Sequence, residues 1–182
     1  MRLNAQQLRD LEEEKAKGPL KVVKRNPIYF ILENIYDTYN VGGLFRLADA
    51  LAVEKMYLCG DMEVPPNSRI KKASIGTYKV VPWEYRKSAS DTIDEVRKLT
   101  PKPYTLNPRI IAVEQHPTAI DYRKADYRVP LALIFGNETS GVLPETLKLV
   151  DQIVEIPMWG INKSLNVIVS AAIVSYWAMS KI

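Results

Sequence analysis

Five short apolar runs constrain the fold of this chain more than any other feature of its sequence. They cover residues 28–35, 55–59, 109–114, 131–135 and 152–156, with a weaker sixth run at 79–83. Helical patterns lie between them. Most of the runs are continuously apolar rather than alternating, which is typical of strands covered on both faces. The sequence therefore predicts an α/β fold, with a mostly parallel sheet and helices on both faces.

The length and composition fit a single globular domain in a reducing compartment. The 182 residues are 47% hydrophobic and 25% charged, which is enough for a substantial core. The one cysteine, Cys59, excludes an intramolecular disulfide and a multi-cysteine metal site, and we expect no metal. The N-terminus has no apolar signal, so we expect a cytoplasmic protein. We expect residues 1–27 to form a leader with a short helix at 4–17, and residues 28–182 to form the functional domain.

The last helical pattern, residues 165–179, is strongly apolar but too short to cross a membrane. It has fifteen residues interrupted by Asn166, Ser170 and Ser175, whereas a membrane span needs about 20. One face carries large apolar residues and the other carries small ones. Such a helix is either enclosed in the core or shared with a second subunit.

Two glycine-marked loops, each following a buried run, form a candidate ligand site. The first lies in residues 131–141 (LALIFGNETSG) and the second in residues 156–167 (IPMWGINKSLNV). A Walker loop and the Gly-x-Gly-x-x-Gly fingerprint are both missing from the sequence, so neither common phosphate-binding loop is present. Ser164 is a possible N-cap of the last helix, with Asn166 in its first turn.

A third segment, residues 40–46 (NVGGLFR), lies far upstream. Asn40 is either a helix N-cap or a functional residue, and Arg46 either pairs with Asp49 on the same helix or serves a function. Two adjacent glycines, Gly42 and Gly43, disfavour a purely structural interpretation. Each costs a helix about 0.5–1 kcal/mol relative to alanine, so we expect something to need their close approach.

In order and sequence, these three segments resemble the motifs of the SpoU (TrmH) family of RNA ribose 2′-O-methyltransferases in the SPOUT superfamily. The resemblance spans residues 28–177. It implies a C-terminal deep trefoil knot, bound S-adenosylmethionine, and a homodimer formed through the knot face and the C-terminal helix. It implies catalytic roles for Arg46, Asn40, Glu138, Ser164 and Asn166. It also implies that the cofactor is bound by Gly136, Asn137, Gly141, Ile156, Met158, Gly160, Ser164 and Leu165, where bare backbone must approach it.

The resemblance also implies an RNA partner, with which the net charge of +4 is compatible. Two basic clusters are either solvated faces or RNA contacts: Lys21, Lys24 and Arg25, and Arg69, Lys71 and Lys72. We expect the product S-adenosylhomocysteine and a structured RNA substrate, with tRNA favoured over rRNA. Two alternatives stay open: a catalytically silent knotted RNA-binding dimer, and a related enzyme that methylates a base.

Overall fold

A computed structural model of the chain describes residues 3–11 and 24–182. Seven strands build its sheet: β1 Asn26–Glu33, β2 Val53–Cys59, β3 Trp83–Arg86, β4 Arg109–Val113, β5 Ile120–Asp121, β6 Leu131–Gly136 and β7 Gln152–Glu155. Their order is β3-β2-β1-β6-β4-β7-β5, and every neighbouring pair in it is parallel. The predicted parallel α/β sheet is confirmed.

Helices cover both faces of the sheet. The α-helices of the described residues are α1 Ala5–Asp10, α2 Thr38–Ala50, α3 Ser68–Ser74, α4 Ala89–Val96, α5 Pro144–Leu147 and α6 Val167–Met179, and α1 has no buried residue. Residues of α2, α3 and α6 join one apolar core cluster, which includes Phe30, Phe45 and Phe135. Residues of α4 pack into a second cluster on the opposite face, around Ile31 and Ile134.

One predicted strand is misplaced, and one strand was not predicted. Residues 79–83 do not form one strand, because Lys79 ends a 3₁₀ turn and β3 begins only at Trp83. β3 is an edge strand whose charged and aromatic residues alternate, so it lacks the continuous apolar signal. The sequence also missed β5, a two-residue strand that exists through its pairing with β7.

The ends of the chain agree with the sequence only in part. The predicted helix at 4–17 is confirmed over Ala5–Asp10, and residues 12–17 lie outside the described part. The boundary between leader and domain stays a prediction, although β1 already begins at Asn26. Within the described residues, no helix combines the length and apolarity that a membrane crossing requires.

The carboxyl ends of the central strands lie level with one another. Glu33 at the end of β1 is in register with Gly136 of β6 and Cys59 of β2, and Cys59 is in register with Arg86 of β3. The loops leaving these strands therefore emerge along one edge. This is the edge at which open parallel sheets commonly bind ligands.

Candidate active site

A cleft of about 260 Å³ opens at the carboxyl ends of β4, β6 and β7. It is close to the lower limit of about 300 Å³ for small-molecule sites. Most of the predicted cofactor residues line it: Gly136, Asn137, Gly141, Ile156, Met158, Ser164 and Leu165. Gly160 does not line the cleft. The two glycine-marked loops thus meet at one place, as the sequence predicts.

The glycines of the first loop are needed by the loop itself. A Cβ atom on Gly136 would lie 2.1 Å from the carbonyl carbon of Gly141. Gly141 has a φ of +64°, and a Cβ there would lie 2.0 Å from Oε2 of Glu114. Contacts within the chain therefore account for both residues without a ligand. A Cβ on Gly160 would meet no atom within 4 Å, and nothing in the structure explains that glycine.

Two carboxylates hold the segment that directly follows this loop. Oε2 of Glu114 accepts a 2.8 Å hydrogen bond from the backbone N–H of Val142. Glu33 accepts bonds from the N–H of Leu143 (2.8 Å) and the hydroxyl of Thr146 (2.7 Å). Burial raises the pKa of Glu33, and these two hydrogen bonds oppose the rise. Neither residue was predicted from the sequence, although Glu33 lies within the apolar run 28–35 and Glu114 ends the run 109–114.

Asn40 joins the three predicted segments by hydrogen bonds. Its Nδ2 donates to Oε1 of Glu138, and its Oδ1 accepts a 3.0 Å bond from Nδ2 of Asn166. Asn40 is 5% exposed, whereas Glu138 and Asn166 are exposed, so both bonds are partly buried. Glu138 lines the cleft, whereas the two asparagines do not. They position a cleft residue and do not themselves line the cleft.

The capping interpretations of Asn40 and Ser164 are wrong. Asp37 is the N-cap of α2, since its Oδ1 accepts the N–H of Tyr39 at 2.8 Å. The N-cap of α6 is Asn166, whose Oδ1 accepts the N–H of Ile168 at 2.9 Å. This leaves Ser164 beside the cleft with an exposed side chain.

Helix packing explains the glycine pair in α2. A Cβ on Gly42 would lie 2.5 Å from Cβ of Ala73 in α3, and one on Gly43 would lie 2.3 Å from Cδ1 of Ile168 in α6. The close approach expected from the sequence is therefore between helices. It brings α2 near enough to α6 for Asn40 to bond Asn166.

Arg46 is exposed on α2 and does not line its own chain's cleft. It forms no hydrogen bond or ion pair with any residue in the described part of the chain, so the possible pair with Asp49 is not formed. Instead, Asp49 interacts electrostatically with Arg25. As far as the described residues go, the guanidinium of Arg46 has no partner within this chain.

Three further residues of the cleft were not predicted: Gln115, Glu155 and Lys163. The side chain of Gln115 donates to the carbonyl oxygen of Lys163 and so joins the loop after β4 to the loop after β7. Glu155 is half-buried and has no hydrogen-bond or ion-pair partner among the described residues. With Glu114 and Glu138 it gives the cleft three carboxylates against one lysine, a lining that favours cationic groups.

The basic clusters differ in how far they are available to RNA. Arg25 donates to the carbonyl oxygens of Val53 (3.0 Å) and Val80 (2.7 Å), so it is a structural residue and its assignment to RNA is corrected. Lys24 is exposed, and Lys21 lies outside the described residues. The second cluster, Arg69, Lys71 and Lys72, is exposed on and around α3 and forms no ion pair within the described part. No three His, Cys, Asp or Glu side chains come together as a metal site in residues 3–11 and 24–182.

The chain has a parallel α/β sheet, a cleft at the carboxyl edge of that sheet, and three polar motifs linked by hydrogen bonds. Together these features define the class of protein. Residues 27–176 match the model of the SpoU rRNA Methylase family. The chain belongs to that family, and the resemblance seen in the sequence is confirmed.

Two curated relatives are tRNA (guanosine(18)-2′-O)-methyltransferases. The enzyme of Thermus thermophilus is 30% identical over 173 residues, which are 94% of this chain and 84% of the relative. The enzyme of Escherichia coli is also 30% identical, over 86% of this chain but only 65% of its own length. The predicted enzyme class, an RNA 2′-O-methyltransferase, agrees with both names.

Solved structures share the fold. The Aquifex aeolicus TrmH/SpoU tRNA modifying enzyme has a TM-score of 0.76 at 25% identity, covering 93% of this chain and 83% of the other. An AdoMet-bound rRNA methyltransferase from Sinorhizobium meliloti has a TM-score of 0.77 at 24% identity, covering 96% of this chain and 60% of the other. The second likeness concerns the fold alone.

Proposed function

We propose that this chain is an S-adenosylmethionine-dependent methyltransferase that methylates a ribose 2′-hydroxyl in structured RNA. The observation that carries the proposal is the bonding of Asn40 to both Glu138 and Asn166, beside a cleft. Three segments far apart in sequence are thereby joined at one site. The names of the Thermus and Escherichia relatives favour tRNA over rRNA as substrate.

The lining of the cleft fits S-adenosylmethionine. When bound, this cofactor supplies a methyl group on a positively charged sulfur. The carboxylates of Glu114, Glu138 and Glu155 suit its sulfonium and ammonium groups, and Lys163 suits its carboxylate. Apolar side chains such as Ile156, Met158 and Leu165 provide surface for the adenine. The backbone of the 136–141 loop offers hydrogen-bonding groups, and Glu114 and Glu33 hold the segment that follows it.

Arg46 addresses the RNA in this proposal. A guanidinium stays protonated at all ordinary pH values and is therefore a poor base. It is well suited to hold an RNA phosphate through two parallel hydrogen bonds. Aligning the 2′-hydroxyl in this way lowers the barrier to methyl transfer. The proton of the hydroxyl then leaves to a phosphate oxygen or a bound water.

We further propose a homodimer in which Arg46 serves the cleft of the partner subunit. Tyr39 is 52% exposed and lies two turns before Arg46, on the same face of α2. On α6, Val169 and Tyr176 are 45% and 55% exposed and likewise share a face. Apolar side chains this exposed favour an interface. The small-residue face of α6 is instead enclosed in the core, as Ala171, Val174 and Ala178 are 0% exposed.

The C-terminal trefoil knot is also proposed. It is supported by the path of the chain after β7, which lies beyond β4 in the sheet. From there, the segment between β7 and α6 passes the loop after β4, where Gln115 bonds Lys163, and α6 then packs against α2.

The test combines calorimetry with methyl-transfer assays. We expect saturable binding of S-adenosylmethionine, and transfer of labelled methyl groups to unfractionated tRNA at the ribose, detected as 2′-O-methylnucleosides after nuclease digestion. Ribosomal RNA is assayed in parallel. Absence of cofactor binding would indicate a silent RNA-binding dimer, and label on a base would indicate base methylation. Either result would overturn the proposal.

A further inference from the structure

A second hollow, of about 620 Å³, opens at the carboxyl ends of β2 and β3. Its lining includes Asp61, Met62, Tyr85 and Lys87. It lies on the same edge of the sheet as the cofactor cleft, because the ends of β6, β1, β2 and β3 are in register. With strands about 4.8 Å apart, β2 and β3 lie about 10 and 15 Å from β6. A segment of RNA a few nucleotides long spans such a gap.

The polar groups around this hollow are unengaged. The side chains of Asp61, Tyr85 and Lys87 form no hydrogen bond or ion pair with any residue that the structure describes. Other charges nearby are already paired: Arg86 bonds Glu84 and Glu95. Tyr85 is 46% exposed. A carboxylate, an ammonium and a phenol ring therefore line one hollow, and none of them has a partner among the described residues.

The apolar part of the hollow gives a planar ligand a floor. Met62 is half-buried and packs on the main core cluster, as does Trp83. Side chains alternate along a strand, so Tyr85 projects on the same side of β3 as Trp83. An exposed aromatic ring beside a fixed apolar floor is the arrangement on which unpaired bases stack.

We propose that this hollow binds an unpaired guanine nucleotide of the RNA, within a few nucleotides of the one that is methylated. Tyr85 stacks on the base, and Lys87 contacts a phosphate. Asp61 accepts hydrogen bonds from the base, and guanine fits best because its adjacent N1–H and N2–H groups match the two carboxylate oxygens. The inference deepens the proposed function and rests on it for the position of the methylated nucleotide.

Nucleoside monophosphates test the hollow by itself. In an amide NMR titration of the full chain, guanosine monophosphate should shift the signals of Gly60, Asp61 and Lys87 at lower concentration than uridine monophosphate does. Asp61→Asn should remove this preference, since an amide offers only one acceptor oxygen. Equal responses to both nucleotides, or a preference that Asp61→Asn leaves intact, would overturn the assignment.

Methylation of unfractionated tRNA tests the hollow within the enzyme. Tyr85→Ala should raise the KM for tRNA about 5- to 100-fold, the range of a lost base stack, and leave S-adenosylmethionine affinity unchanged. Tyr85→Phe should behave as wild type, and Lys87→Ala should weaken tRNA binding more than Lys98→Ala, a matched exposed lysine.

Two outcomes of this assay would count against the hollow as an RNA site. A wild-type KM in Tyr85→Ala would overturn the assignment. A change in the sedimentation of Tyr85→Ala would also overturn it, because the hollow would then be a contact between copies of the chain. If the wild-type chain binds no S-adenosylmethionine, the proposed function fails, while the nucleotide titration still decides the hollow.

Discussion

The side-chain amide of Asn166 donates a 3.0 Å hydrogen bond to Oδ1 of Asn40, although 126 residues separate them in the chain. Asn40 in turn donates to Glu138. The donor and acceptor of the Asn40 amide are therefore both engaged, which fixes its orientation. These bonds connect the start of α6, the first turn of α2 and a wall of the cleft.

Two substitutions of Asn166 separate its capping role from its bond to Asn40. Asn166→Ala should lower the free energy of unfolding by about 1 kcal/mol through loss of the cap. Asn166→Asp keeps the cap but has no N–H for Asn40. We expect both variants to bind S-adenosylmethionine about tenfold more weakly, as the loss of a partly buried hydrogen bond predicts. Thermal unfolding and calorimetry measure the two effects. Wild-type cofactor affinity in Asn166→Asp would show that the bond does not shape the cleft.

The contact between Gly43 and Ile168 predicts a rescue. Gly43→Ala should destabilise the fold by about 1–3 kcal/mol, because the new methyl meets Cδ1 of Ile168 at 2.3 Å. Ile168→Val removes that atom, so the double variant should regain most of the lost stability in urea unfolding. Gly42→Ala should be harder to rescue, since its methyl would meet the backbone nitrogen of Ser74 at 2.8 Å. Strictly additive losses in the double variant would contradict this account.

Mixed dimers test where Arg46 acts. Arg46→Ala should bind S-adenosylmethionine normally, since the side chain is exposed and outside the cleft, yet lose most methyl transfer. Ser164→Trp should block the cleft. Co-refolding the two inactive variants should restore about a quarter of wild-type activity, because random pairing gives half heterodimers with one complete site each. Activity that stays at the level of the separate variants would mean that Arg46 serves its own chain.

Cys59 should be unreactive in the native protein. Burial raises the pKa of its thiol to about 12, and only the thiolate is alkylated. At pH 8.5, iodoacetamide should label the urea-unfolded chain rapidly and the native chain only after opening. Because the pKa of this thiol is raised in the folded protein, its contribution to stability is fully present below the pKa that it has in the unfolded chain. That contribution is lost as the pH rises towards 12. The Cys59→Ser variant, which has no thiol, is the negative control. Rapid labelling of the native wild-type chain would refute the burial argument.

Removing the hydroxyl of Ser175 should stabilise the protein. Ser175 is 0% exposed, and its Oγ has no hydrogen-bond partner in the described part of the chain. A buried polar group without a partner costs about 1–3 kcal/mol, so Ser175→Ala should raise the melting temperature. Ser170→Ala, on the same helix but partly exposed, should change it little. A drop in the melting temperature of Ser175→Ala would indicate an undetected partner for the hydroxyl.

The sequence reveals strands where burial on both faces leaves a continuous apolar run, as at β1 and β6. It cannot reveal β5, whose two residues form a strand only because they pair with β7. It also cannot reveal that β1 lies between β2 and β6 in the sheet. Similar limits apply to the site. The motif pattern identifies Glu138 and Asn166, but their link through Asn40 arises from helix packing at Gly43. The roles of Glu33 and Glu114 depend on distant backbone groups that no local pattern encodes.

Glu33 has a consequence for how variation in this protein should be read. It is 3% exposed and bonds the loop behind the cleft. A survey of alleles restricted to the residues facing a ligand would overlook it. Harmful variants are nevertheless to be expected there, because replacing this one buried acid would change the shape of the cleft wall. Glu33 supports that wall from the side that faces away from the ligand.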